Sequence, residues 1–168
     1  GGVVWTSAQN NNGTSIPSYS GGIFSSTTAI NPTYTPSVDD INQGYVYLII
    51  TGSGSGTCNV DNSSMRIDIT KKPSITVTDI NICVDTPSIT LNSSADNYNT
   101  ISWSIFSGPG SLSNTSSETP TFLNNLPSTT TAIETTVVRA VLTPNGGCPT
   151  SETIYKDLTI TIQPLPTV

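Results

Sequence analysis

The chain has 168 residues, with five Lys and Arg against eleven Asp and Glu, a net charge of −6, and no His. Without imidazole there is no Ser-His-Asp or Cys-His pair, no imidazole metal ligand and no ordinary neutral-pH switch. Five scattered basic side chains give no electrostatic footprint for nucleic acid, and no run reaches the eighteen or so apolar residues of a membrane span, so neither nucleic acid binding nor membrane insertion is expected.

Ser and Thr supply about 30% of the residues, and charged residues only 10%. Abundant Thr, Val and Ile, with six Tyr, three Phe and two Trp, mark a folded chain, because disordered segments are poor in β-branched and aromatic residues. In chain order, strands are expected at residues 3–6, 45–51, 65–70, 75–78, 88–92, 101–105, 136–143 and 158–162. Ile75-Thr76-Val77-Thr78, Ile101-Ser102-Trp103-Ser104-Ile105 and Leu158-Thr159-Ile160-Thr161-Ile162 alternate with period two, which buries one face and wets the other. Gly52-Ser53-Gly54-Ser55-Gly56, Ser107-Gly108-Pro109-Gly110 and Pro144-Asn145-Gly146-Gly147 read as turns between them. No long segment repeats every 3.6 residues, so the chain is expected to be all-β.

The chain also matches itself at a spacing of about 90 residues. Gly21-Gly22-Ile23-Phe24-Ser25 aligns with Pro109-Gly110-Ser111-Leu112-Ser113, and Asn31-Pro32-Thr33-Tyr34 with Thr119-Pro120-Thr121-Phe122. Val46 to Thr51 aligns with Val138 to Thr143, Leu48 thus with Ala140, Cys58 with Cys148, Ile67 with Leu158 and Ile69 with Ile160. Trp5 pairs with Trp103 once Gln9-Asn10-Asn11-Asn12-Gly13 is taken as a surface loop insertion. The expected division is a first module at residues 1–72 lacking its first two strands, a complete module at 73–163, and the start of a following one at 164–168. Both ends then cut through modules, as in an excerpt of a longer array.

Three cysteines in a chain of extracellular composition leave one over. A bridge between Cys83 and Cys148 would close a loop of roughly 65 residues and contribute on the order of 4 kcal/mol. Cys58 would then be unpaired because its partner lies upstream. The alternative is three free buried thiols.

The run Trp5, Gly22, Phe24, Tyr34-Thr35-Pro36-Ser37, Asp40-Ile41, Gly44, Val46, Leu48, Gly56-Thr57-Cys58, Met65, Ile67 and Ile69 resembles the PKD-like, immunoglobulin-like repeats of very large Bacteroidota surface proteins. Such repeats occur in the gliding-motility adhesin and related proteins exported by type IX secretion. The likeness covers essentially the whole chain and is weaker in the second copy, where Phe122-Leu123-Asn124-Asn125 replaces Tyr-Thr-Pro-Ser. It implies tandem immunoglobulin-like (PKD-like) β-sandwich modules strung as a stalk or filament, and identifies no ligand.

The candidate residues divide between structure and recognition. Trp5, Trp103, Leu48, Ala140, Ile67 and Leu158 are expected in the cores, with carbohydrate stacking as the alternative for Trp103. Asp39 and Asp40 after Pro36-Ser37 suit the cap of a short turn, whereas calcium would need a spaced acidic loop that the sequence lacks. Glu118, Glu134 and Glu152 fall in separate segments, so no paired-carboxylate enzyme is expected. No cofactor and no metal is assigned, and the Asn-x-Ser/Thr triplets are no more than an Asn- and Ser-rich chain yields by chance. Proline-containing junctions restrict the backbone between modules. The expected role is a structural segment of an extracellular, cell-surface adhesin, its partners the neighbouring modules of the array. The alternatives are glycan or surface binding through Tyr19, Tyr34, Tyr45 and Tyr47, and a fibre in which other copies of the chain donate the missing strands.

Overall fold

The computed structural model describes residues 2–54 and 60–166. It divides into two compact units, Gly1–Lys71 and Lys72–Val168. The first contains β1 (Val3–Ala8), β2 (Ile23–Phe24), β3 (Tyr34–Thr35), α1 (Val38–Gln43), β4 (Tyr45–Gly52) and β5 (Asp61–Asp68). Antiparallel pairing orders its sheet β1-β4-β5, while β2 and β3 form a separate ribbon in which Phe24 faces Tyr34. Val46 and Leu48 on the central strand are buried, and Tyr45 and Tyr47 alternate with them onto the other face. Ile49 is buried as well. The polar insertion after β1 comes against it, for a Cβ added at Gly13 would stand 3.5 Å from the Ile49 side chain. Side chains hold that insertion in place of a ladder: Asn10 Oδ1 accepts from Thr14 N–H at 2.9 Å, and Gln9 Oε1 from Ile16 N–H at 2.9 Å.

The second unit contains β6 (Ser74–Val77), β7 (Ile80–Cys83), β8 (Ser88–Thr90), β9 (Ser93–Asp96), β10 (Tyr98–Ser107), β11 (Ser111–Ser113), β12 (Thr121–Leu123), β13 (Glu134–Pro144) and β14 (Ile154–Gln163). Its large sheet runs β10-β13-β14-β7, with β7 parallel to β14, and a second sheet runs β11-β12-β8. Period-two alternation puts Ile101, Trp103, Val138, Ala140, Leu142, Leu158, Ile160 and Ile162 on one face of the large sheet. They close against Ile82, Val84, Leu91 and Phe122 in one buried cluster. Trp103, Ala140 and Leu158 therefore occupy the core, as Leu48 does in the first unit.

Ile67 does not. It is 37% exposed, and β5 is exposed along its whole length, because β5 is an edge strand paired only with β4 among the described residues. That strand also begins earlier than its apolar residues indicate. Asp61-Asn62-Ser63-Ser64 pairs with β4 although it carries no alternation, since the ladder needs only backbone groups.

The structure has no Cys83–Cys148 disulfide. Cys83 ends β7 opposite Gln163, the last residue of β14, whereas Cys148 lies in the turn before β14 begins. Ten residues of extended chain put those two ends roughly 30 Å apart, and a disulfide needs Cα atoms within about 7 Å. Cys83 is exposed and Cys148 half-buried. Cys58 lies outside the described residues, as do Gly56 and Thr57 of the family-like run.

Candidate functional site: an apolar groove in the first unit

The two tryptophans make the same hydrogen bonds in different surroundings. Trp5 N–H donates to Thr27 O at 2.8 Å and its Nε1–H to Ala29 O at 3.0 Å. Trp103 N–H donates to Thr115 O at 2.8 Å and its Nε1–H to Ser117 O at 2.9 Å. The ribbons that carry these acceptors also correspond, Phe24 opposite Tyr34 and Leu112 opposite Phe122. Yet Trp103 is 4% exposed and Trp5 only half-buried.

The ladders correct the sequence alignment of the two units. Trp5 stands opposite Ile50, which stands opposite Ser63, whereas Trp103 stands opposite Ala140, which stands opposite Lys156. With the tryptophans matched, Met65, Ile67 and Ile69 take the places of Leu158, Ile160 and Ile162. Leu48 thus corresponds to Val138 and not to Ala140, and Ile67 to Ile160 and not to Leu158. A slide of two residues leaves every side chain on its face, so apolar similarity alone does not choose between these registers.

The difference in burial opens a groove. Trp5, Phe24, Tyr34, Leu48, Met65 and Ile67 line a cleft of about 430 Å³ whose surface is predominantly apolar. Trp5 and Phe24 pack with ring centroids 6.0 Å apart, and Phe24 and Tyr34 at 4.8 Å, so one wall is a continuous aromatic row. The opposite wall is the inward side of β5, where Met65 is 52% exposed. In the second unit the corresponding Leu158, Ile160 and Ile162 are at most 1% exposed.

One end of the aromatic row is fixed by a buried carboxylate. Ser37 caps α1 by accepting from Asp40 N–H at 3.1 Å, and Asp40 Oδ2 accepts in return from Ser37 N–H at 2.8 Å. Gly44, at φ 83°, ends the helix by donating its N–H to Asp40 O at 2.9 Å. Asp40 Oδ2 also accepts from the Tyr34 hydroxyl at 2.7 Å, and Oδ1 from the Tyr19 hydroxyl. Burial pushes the Asp40 carboxyl up, but the bonds from Tyr19, Ser37 and Tyr34 outweigh it and hold its pKa below the usual carboxylate value. Burial and the Asp40 carboxylate push Tyr19 well above the ordinary phenol, and burial raises Tyr34. The arrangement orients the Tyr34 ring against Phe24 and leaves the carboxylate saturated with donors.

The sequence missed this helix because six residues are too short for a visible 3.6-residue period. Ser37 with an acid three residues on, and Gly44 beyond, was the signal that could have found it. The four tyrosines form two groups rather than one surface. Tyr19 and Tyr34 spend their hydroxyls on Asp40, while Tyr45 and Tyr47 meet edge to face at 6.0 Å, with the Arg66 guanidinium 4.3 Å above the Tyr45 ring. The three glutamates lie apart: Glu118 accepts from the Tyr98 hydroxyl, Glu152 pairs with Lys72 at 2.8 Å, and Glu134 starts β13. Among the described residues no three acidic or thiol side chains converge as metal ligands would, and no helix is long and apolar enough to cross a membrane.

No protein-family model matches the chain, and no curated protein sequence matches it. Solved structures do. The mouse cadherin-23 EC22-24 structure is similar over 97% of this chain and 54% of its own, at 14% identity and a TM-score of 0.54. The human desmocollin-1 ectodomain matches 98% of this chain with 35% of its own, at 11% identity and 0.54. Human protocadherin-24 EC1-2 matches 98% with 83% of its own, at 12% identity and 0.52. The fold is an immunoglobulin-like β-sandwich. The chain spans about half the length of the cadherin-23 structure and about a third of the desmocollin-1 ectodomain, so the likeness reaches a part of each.

Proposed function

We propose that the chain is a non-catalytic spacer of an extracellular, cell-surface adhesin, holding a distal binding element away from the cell. The observation that carries this reading is the path of the chain through the second unit. Lys72 enters beside Glu152, at 2.8 Å, just before β14 begins, and the chain leaves at Gln163, where β14 ends. Entry and exit are thus separated by the ten residues of β14, roughly 30 Å, so each such unit adds length to whatever carries it. The likeness to cadherin ectodomain folds supports an adhesion-type setting. The finer assignment, to PKD-like repeats of Bacteroidota surface proteins in gliding motility and type IX secretion, rests on the sequence run alone.

The test is to exchange residues 1–168, within the surface protein that contains them, for an unrelated spacer of equal length. Adhesion restored by the foreign spacer and lost on simple deletion is the expected result. Failure of the spacer, together with loss of adhesion on Tyr45→Ala and Tyr47→Ala, would replace the reading by direct recognition through this half-buried tyrosine pair.

A further inference from the structure

We infer that the groove of the first unit is the acceptor site for a β-strand segment that joins the β5 edge in parallel, of the chemistry of residues 80–91 and from the same polypeptide N-terminal to β1. The second unit supplies the argument, because it fills the corresponding place itself. There β7 runs parallel to β14, with Ile80 opposite Ile160 and Ile82 opposite Ile162, and Val84 N–H continues the ladder to Gln163 O at 2.8 Å. The chain then crosses to the other layer, where Ile89 of β8 stands opposite Phe122 of β12 and Leu91 N–H bonds Pro120 O at 2.8 Å. Ile82, Val84 and Leu91 are buried as a result, and so are Leu158, Ile160, Ile162 and Phe122.

Both receiving edges recur in the first unit, and among the described residues neither has an occupant. β5 pairs only with β4, and β3 only with β2. The residues that such a segment would cover are Met65, Ile67 and Tyr34, the places of Leu158, Ile160 and Phe122. The matched register fixes the docking: the residue in the role of Ile80 lies opposite Ile67, and that in the role of Ile82 opposite Ile69. Main-chain bonds to β5 give affinity in such an arrangement, and alternate side chains in the groove give specificity. The choice of an N-terminal source follows from chain order, since β7 and β8 precede β10 just as the inferred segment would precede β1.

The experiment joins a second copy of residues 73–98 directly to residue 1 of the 168-residue chain. Trp5 matched to Trp103 puts residue 1 in the place of Asn99, so no linker is required. The expected product is a monomer in which amide exchange along β5 slows at least a hundredfold, Trp5 emission shifts to the blue, and Met65 becomes resistant to oxidation. A control with Ile82→Lys and Leu91→Lys in the added copy should leave β5 exchange as it is without the addition. A folded fusion whose β5 exchanges as fast as before overturns the inference. So does protection that appears only with concentration-dependent association, which would make another copy the donor, and so does equal protection by the lysine control. The spacer reading would survive any of these results, because it is read by spacer exchange in the full protein.

Discussion

Asp40 is the residue on which the local order of the first unit turns. Its carboxylate accepts from the Tyr34 hydroxyl at 2.7 Å, from Ser37 N–H at 2.8 Å and from the Tyr19 hydroxyl, and it is fully buried. Hydrogen bonds to an ionised acceptor contribute roughly 1.5–3 kcal/mol each, and they are not additive in a shared site. Asp40→Ala strips three donors at once and opens the capping box, so a loss of about 3–5 kcal/mol is expected. Asp40→Asn keeps the shape but turns an amide N–H toward at least one existing donor, for a loss of about 1.5–3 kcal/mol. Native-state hydrogen exchange reads this separately at β4 and at β13, since each lies in its own compact unit. The loss should appear at β4 and not at β13. The sign of the pH dependence follows from the depressed carboxyl: its stabilisation is complete above the unfolded value near 4 and is lost as the pH falls through the lower folded value. On the alkaline side the raised Tyr19 works oppositely, its contribution complete below about pH 10 and lost as the pH climbs beyond it. An Asp40→Asn protein within about 0.5 kcal/mol of the parent at β4, with the acid limb unchanged, would refute the account.

Three further outcomes follow from packing. Trp103→Ala should cost about 3–5 kcal/mol, read as the denaturant midpoint of the second unit, and Trp5→Ala clearly less in the first, because only Trp103 is dry; equal losses would contradict the difference in burial. Gly110→Ala should destabilise by more than about 2 kcal/mol, since φ is 108° and the added Cβ would lie 2.4 Å from the Phe122 ring, while Gly146→Ala, with nothing within 4 Å, should stay within about 0.5 kcal/mol in the same melt. Cys83→Ser should leave the unfolding midpoint unchanged with or without reductant, because the thiol is exposed at the far end of β14 from Cys148; a drop confined to oxidising conditions would show a bridge.

Long alternating strands were legible in the sequence because period two leaves a mark wherever one face is buried. β10, β13 and β14 carry Ile101 and Trp103, Val138 to Leu142, and Leu158 to Ile162, and they form the buried face of the second unit. β2, β3, β11 and β12 are two or three residues long, too short for any period, and β9 is Ser93-Ser94-Ala95-Asp96. The self-match pointed to the ribbon contacts, since Gly22, Phe24 and Tyr34 and their counterparts Gly110, Leu112 and Phe122 fall in paired strands or beside them. It missed the registers of β4 and β5 by two residues each, which preserves faces and so leaves hydrophobicity unchanged. The bridge between Cys83 and Cys148 failed for a related reason: spacing along the chain carries no information on which end of a sheet a residue occupies. The groove was legible only as missing strands. Its aromatic wall depends on Asp40 holding Tyr34, a contact that no period encodes.

The proposed spacer role depends on the parallel pairing of β7 with β14. Had the first strand of the large sheet run antiparallel to the last, the chain would enter and leave at the same end, and further copies would add bulk without reach. Parallel neighbours require a crossover through the rest of the unit, and here everything from β8 to β13 lies between them. That arrangement closes the core by long-range contact, since Ile80 and Ile160 are 80 positions apart in the chain. Loop closure over such a length costs only about 0.6 kcal/mol more than over half of it, against at least about 1.5 kcal/mol for each valine, isoleucine or leucine fully buried. Ile82, Val84 and Leu91 together therefore outweigh that added cost, and β7, which carries Ile82, also sets the entry of the chain at the end opposite its exit.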